Sequence, residues 1–138
     1  MALVRKVLGT TCVLAATLAL APAQAHHSYA AFDRCTPVEL EGEIANVEWA
    51  NPHIRISLRT AEVASYSVEW FSLIQMERAG LAAEVLKTGD HVVITGKAMR
   101  DPSMKILSLV TEIRRTSDGW TWTRATPQQL PPDCATTN

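Results

Sequence analysis

The chain lacks most of the features that announce an activity. Its six glycines in 138 residues build no phosphate-cradling loop and no Gly-x-Ser-x-Gly elbow, and no His-Glu-x-x-His pair occurs. There is no Cys-x-x-Cys, so thioredoxin-like redox chemistry is excluded. No apolar run approaches the roughly 20 residues that a membrane-spanning helix needs. There is no basic excess either: 13 Lys and Arg face 14 Asp and Glu. A nucleic-acid binder would need a positive face for its phosphate contacts. Internal repeats and low-complexity runs are absent as well.

What is present divides the chain unevenly. Residues 1–25 contain no acid and no histidine. Arg5 and Lys6 form a positive start, Val7 to Leu20 an uncharged run of 14 residues, and Ala23-Gln24-Ala25 a small-x-small end. That order reads as a cleaved export signal, cut near Ala25, which places the protein in the periplasm or outside the cell. Removing it leaves 113 residues with 11 basic and 14 acidic side chains, a formal charge of −3. This is enough for one core and too little for two. The expected organisation is signal 1–25, N-terminal arm 26–37, barrel domain 38–124 and irregular tail 125–138, with no membrane span after cleavage.

Cys12 leaves with the leader, so the mature chain keeps two cysteines, Cys35 and Cys134. An even count in an oxidising compartment reads as a structural disulfide.

Alternation of apolar residues predicts strands. Val38, Leu40, Gly42 and Ile44 share one parity, while Val47 and Trp49 fall on the other, as a β-bulge near Ala45-Asn46 would produce. Ile54, Ile56 and Leu58 mark a second strand, and Tyr66, Val68 and Trp70 a third. Ser72 with Gln75 has capping-box spacing and opens a short helix to about Ala79, which Gly80 ends. A fourth strand runs from His91 to Lys97 and a fifth from Met104 to about Arg115. Asp118-Gly119 reads as a two-residue hairpin turn into a sixth strand, Trp120 to Arg124. On that alignment Trp122 stands opposite Arg115. The order β-β-β-α-β-β plus a C-terminal strand predicts an all-β-dominated fold: a small, closed or partly open barrel of the oligonucleotide/oligosaccharide-binding (OB) type. An open β-sandwich is the alternative.

Two clusters carry candidate chemistry. Cleavage after Ala25 makes His26 the first residue, offering an amine and an imidazole together. His27 and His53 are the candidate further ligands, a nitrogen-rich set that suits Cu(II). Cleavage after Ala23 would instead place His26 third, which suits a square-planar copper or nickel site. Trp49, Asn51 and His53, at a strand turn made rigid by Pro52, together with Trp70, are the candidate ligand pocket. The bland reading of the same turn is that Trp49 packs and Asn51 bonds its own turn backbone. Glu39, Glu41 and Glu43 recur every second residue and read as a solvated strand face.

The run His26-His27-Ser28-Tyr29-Ala30 with Phe32-Asp33 resembles the start of a family of exported bacterial proteins, the domain-of-unknown-function family 6152. Leu40-Glu41-Gly42-Glu43-Ile44, Val47-Glu48-Trp49, Asn51-Pro52-His53, Ser67-Val68-Glu69-Trp70, Arg78-Ala79-Gly80 and Leu86 to Asp90 are similar to the same family. The resemblance spans about His26 to Ile113. It departs at Leu81, where a tryptophan is common, and in the Cys35/Cys134 pair with its Pro-rich tail. It implies export and no established activity, and it strengthens the metal reading by pairing the histidines with Asn51-Pro52-His53.

The leading expectation is therefore an exported, non-enzymatic barrel that binds a small ligand, copper or another transition metal first, at His26, His27 and His53. The alternative is a module that docks an envelope protein or a saccharide without metal. A copper-dependent oxidase is the third.

Overall fold

The computed structural model describes residues 29–62, 65–82, 84–132 and 134. The expected leader and the pair His26-His27 lie outside the described residues.

Strand β1 (Val38–Glu48) carries the architecture. Its first half, Val38 to Glu43, pairs antiparallel with β4 (His91–Ala98), and its second half, Glu43 to Glu48, with β2 (Arg55–Arg59). One strand serves two edges because the register slips between Ile44 and Asn46, where the parity of the apolar residues predicts a bulge. Gly42 sits at the bend: a Cβ there would collide with the Arg59 carbonyl, so only glycine permits this approach.

β2 pairs with β3 (Tyr66–Glu69), and β4 with β5 (Ile106–Arg115). The parallel pairing of Ser67 with Ile106 and Val68 with Leu107 joins β3 to β5 and closes a five-stranded barrel. Closure excludes the open sandwich and satisfies edges that would otherwise template association. β6 (Thr121–Thr123) extends the sheet beyond β5. Inside lie Ile44, Ile56, Leu58, Val68, Val92, Ile94, Leu107, Val110 and Ile113, all fully buried or nearly so. Each such side chain stabilises the fold by about 1.5–3 kcal/mol relative to exposure.

Helix α1 (Leu73–Arg78) is too short to persist alone. It is held by burial of Met76 in the core and by the expected capping box, in which Gln75 N–H donates to Ser72 Oγ and Ser72 N–H to Gln75 Oε1. Among the described residues no helix is long and apolar enough to cross a membrane. Phe32 of the arm is buried and bridges Met99, and Cys35 and Cys134 form a disulfide across 99 residues of sequence.

Three details differ from the sequence reading. The fifth strand starts at Ile106, because Pro102–Met104 form a 3-10 turn capped by Asp101. Alternation along β5 puts Leu107, Leu109 and Ile113 on one face and Ile106 and Val110 on the other, but Leu109 adopts φ +51°, and this left-handed residue resets the phase so that Leu107, Val110 and Ile113 all reach the core. The β5–β6 connection is not a two-residue turn. Arg115 N–H donates to Trp120 O (2.8 Å) around the loop 116–119, with Gly119 at φ +73°. Trp122 consequently faces Ile113, and the Arg115 guanidinium lies over Trp120 instead, 5.5 Å from its ring centre. The Asp118 carboxylate causes the change by taking the Arg115 side chain in a two-toothed grip (2.9 and 2.8 Å) and accepting from Trp120 N–H.

Candidate functional site

The turn between β1 and β2 contains Asn51, Pro52 and His53, with a cis Asn51–Pro52 peptide. Among the described residues Asn51 Oδ1 has no bond within its own turn. It accepts from Leu73 N–H (3.2 Å), the first residue of α1, and so locks the turn to the helix. Backbone rungs from Ile54 N–H to Phe71 O (3.1 Å) and from Trp70 N–H to Ile54 O (2.8 Å) bind the same turn to the end of β3. These contacts set His53, half-buried, beside Trp70 at one end of the barrel.

A cleft of about 80 Å³ opens there. His53, Glu69, Trp70, Ser108 and Arg124 line it, and Tyr29 of the arm borders it. Next to it lies a wider groove of about 500 Å³, bounded by Phe71, Gln75, Arg78, Trp122 and Arg124. An aromatic wall separates the two. Phe71 and Trp122 stack with centroids 5.1 Å apart and planes 22° from parallel, and Trp70 meets each edge-on at 4.3 and 5.2 Å. Such pairs add about 0.5–1.5 kcal/mol each beyond their burial. The wall is therefore rigid enough to present a fixed surface.

Of the sequence-derived pocket residues, His53 and Trp70 come together in the cleft. Trp49 packs half-buried against the barrel core, and Asn51 is occupied in positioning α1. Neither of those two lines the cleft or the adjoining groove. His91 stands on the outer β1–β4 face with Nδ1 3.9 Å from Glu41 Oε1, on the same solvated face as the Glu39, Glu41 and Glu43 side chains. Among the described residues no three His, Cys, Asp or Glu side chains are grouped to hold a metal.

Arg124 is the residue that spacing alone undervalues. It stands two positions after Trp122, on the same parity of the β6 segment, and lines both the cleft and the groove. Its signal in the sequence is its place among Arg114, Arg115, Trp120 and Trp122, a cluster that reads as base stacking beside phosphate contacts and that a net acidic chain argues against.

A family model described as "Family of unknown function (DUF6152)" matches residues 14–108. The match includes His53, Trp70 and Ser108, and ends before Trp122 and Arg124. No curated protein and no solved structure matches the chain.

Proposed function

This chain belongs to the DUF6152 family of unknown function, and from that premise we propose that it is an exported, non-enzymatic ligand-binding barrel whose ligand is a transition metal, copper before others. The observation that carries the reading is that Tyr29 borders the cleft that His53 lines. His27 is two residues from Tyr29, and two residues of chain reach at most about 7 Å. The proposal requires His27 and His26 to reach the His53 imidazole from that point.

With Ala25 as the last residue of a removed signal, His26 contributes its amine and ring, and His27 and His53 contribute further nitrogens, a set Cu(II) favours. Trp70 at the cleft wall limits water access. The Cys35–Cys134 disulfide fits an oxidising compartment, periplasmic or extracellular.

The test has two parts. Intact-mass measurement of the secreted protein is expected to give a chain starting at His26. Copper titration of that protein is expected to show submicromolar binding, weakened at least about tenfold by His26→Ala and by His53→Ala. Equal affinity in all three proteins, or none tighter than micromolar, overturns the metal site. A chain starting at Gln24 predicts square-planar binding through the terminus alone and removes His53 from the ligand set.

The aromatic wall of Trp70, Phe71 and Trp122 favours a second reading, in which the same end of the barrel docks a saccharide or an envelope protein. A stoichiometric partner that stays bound when metal is stripped distinguishes it from the first.

A further inference from the structure

Two residues that line the cleft beside His53 carry donors with no partner among the described residues. Trp70 is 3% exposed, and its Nε1 is buried without a partner among the described residues. Orphaned buried N–H groups are rare in native proteins and call for an explanation. Arg124 adds a second set. Its backbone N–H donates to Thr111 O (2.9 Å) and its Nε to Val110 O (3.2 Å), which pins the guanidinium to β5. Its two terminal nitrogens make no hydrogen bond or ion pair with a described residue. Ser108 lines the same cleft from β5. Glu69, the acid of the cleft, is already engaged in a contact of its own.

A fixed guanidinium with a free fork matches a planar carboxylate, which it grips through two parallel hydrogen bonds. Glu69 limits the charge that the cleft accepts. Like-charge repulsion from Glu69 grows with the charge of the ligand, so a monoanion is favoured over a phosphate dianion. Beyond the fork, Arg124 also lines the groove walled by the Phe71–Trp122 stack. A ligand held by its carboxylate at Arg124 therefore lays its body on an aromatic face.

We propose that this junction binds a monocarboxylate attached to a ring, with the carboxylate on Arg124 beside Trp70 and the ring against Phe71 and Trp122. The site does not depend on the metal reading, since none of its donors is a histidine. Both a uronic acid and an aromatic acid carry this chemistry.

The experiment is a tryptophan-fluorescence titration of the mature protein, freed of metal on a chelating resin, with D-glucuronate and benzoate, each against its neutral counterpart, D-glucose and benzamide. At least one acid is expected to bind submillimolar and about tenfold or more tighter than its neutral partner. Binding by glucuronate alone assigns a uronic acid, and by benzoate alone an aromatic acid. Arg124→Gln is expected to erase the preference for the acid. Arg124→Lys keeps the charge but loses the fork, and is expected to weaken binding by about tenfold, which retains a readout if the glutamine variant fails to fold. The proposal is overturned if neither acid binds below about 10 mM, if acid and neutral probes bind alike, or if both Arg124 variants keep the preference.

Discussion

Reduction of the Cys35–Cys134 disulfide lowers the stability of the barrel by about 3 kcal/mol. The bond closes a loop 99 residues long. The chain-entropy argument sets a ceiling of about 4.7 kcal/mol for a loop of that size. The full amount is not expected, because the freed tail gains motion in the folded state too. Among the described residues, Arg34 Nη2 donates to Gln129 O (3.2 Å), and Cys134 N–H to Pro131 O (3.0 Å) within the tail itself. The arm side is better secured. Cys35 N–H donates to Asp33 Oδ1 (3.0 Å), and Lys97 Nζ donates to Cys35 O (3.3 Å). Reduced protein, or Cys134→Ser, should therefore keep its β-sheet circular dichroism and melt about 12–24 °C lower. Coincident urea transitions for oxidised and reduced protein would show that the bond constrains nothing.

Replacing Arg115 by Met costs about 3–5 kcal/mol, because it leaves a buried carboxylate without its counter-charge. The Arg115 side chain is 15% exposed and that of Asp90 9%. Arg115 Nη1 donates to Asp90 Oδ2 (3.1 Å) and to Val85 O (2.8 Å), while Nε and Nη2 hold Asp118. One guanidinium thus ties the start of β4, the segment after α1 and the β5–β6 loop together. Met retains much of the alkyl packing, so the loss reports on charge and hydrogen bonds. Asp90→Asn in the same background should restore part of the stability, since a neutral amide tolerates the site better than an unpaired carboxylate. If Arg115→Met is as stable as the native protein, the network is ornamental.

Acid titration supplies an independent check on the same network. Arg115 hydrogen bonding, followed by the Trp120 N–H, pulls Asp118 from its ordinary 3.8 down to about 2. A carboxyl whose folded value is depressed stabilises the fold fully above its unfolded value and loses that contribution as pH falls. Native protein should therefore lose stability between pH 3.8 and about 2, and Arg115→Met should show a shallower decline over that window. Parallel pH profiles would separate Asp118 from Arg115.

Local chemistry made much of the fold legible. The parity slip after Ile44 announced the bulge because each residue added to one strand turns every later side chain to the other face. The Ser72/Gln75 spacing announced the start of α1 because two helix-end donors are met by two nearby side chains. The hairpin register was misread for an equally physical reason. Asp118-Gly119 has the composition of a two-residue turn, but the Asp118 side chain holds Arg115 across a four-residue loop, a contact that dipeptide composition does not reveal. Leu109 carried no mark at all, since a leucine at positive φ is held there only by the strands around it.

The candidate site divides along the same line. Residue pattern alone is enough to place the order of strands along the chain, the bulge, the helix cap, the cysteine pair and His53 at a proline-stiffened turn. Each of these rests on residues close in the chain or on a simple count. Only barrel closure decided which residues meet. Pairing β3 with β5 brings Trp70 and Phe71 beside Ser108, and the strand that follows β5 delivers Trp122 and Arg124 to the same end. Trp49 and Asn51, adjacent to His53 in sequence, are drawn off to the core and to the helix cap. Spacing records what is near along the chain. The cleft is assembled from segments about 50 residues apart, and their meeting is set by the energy of closing the sheet, which no local pattern encodes.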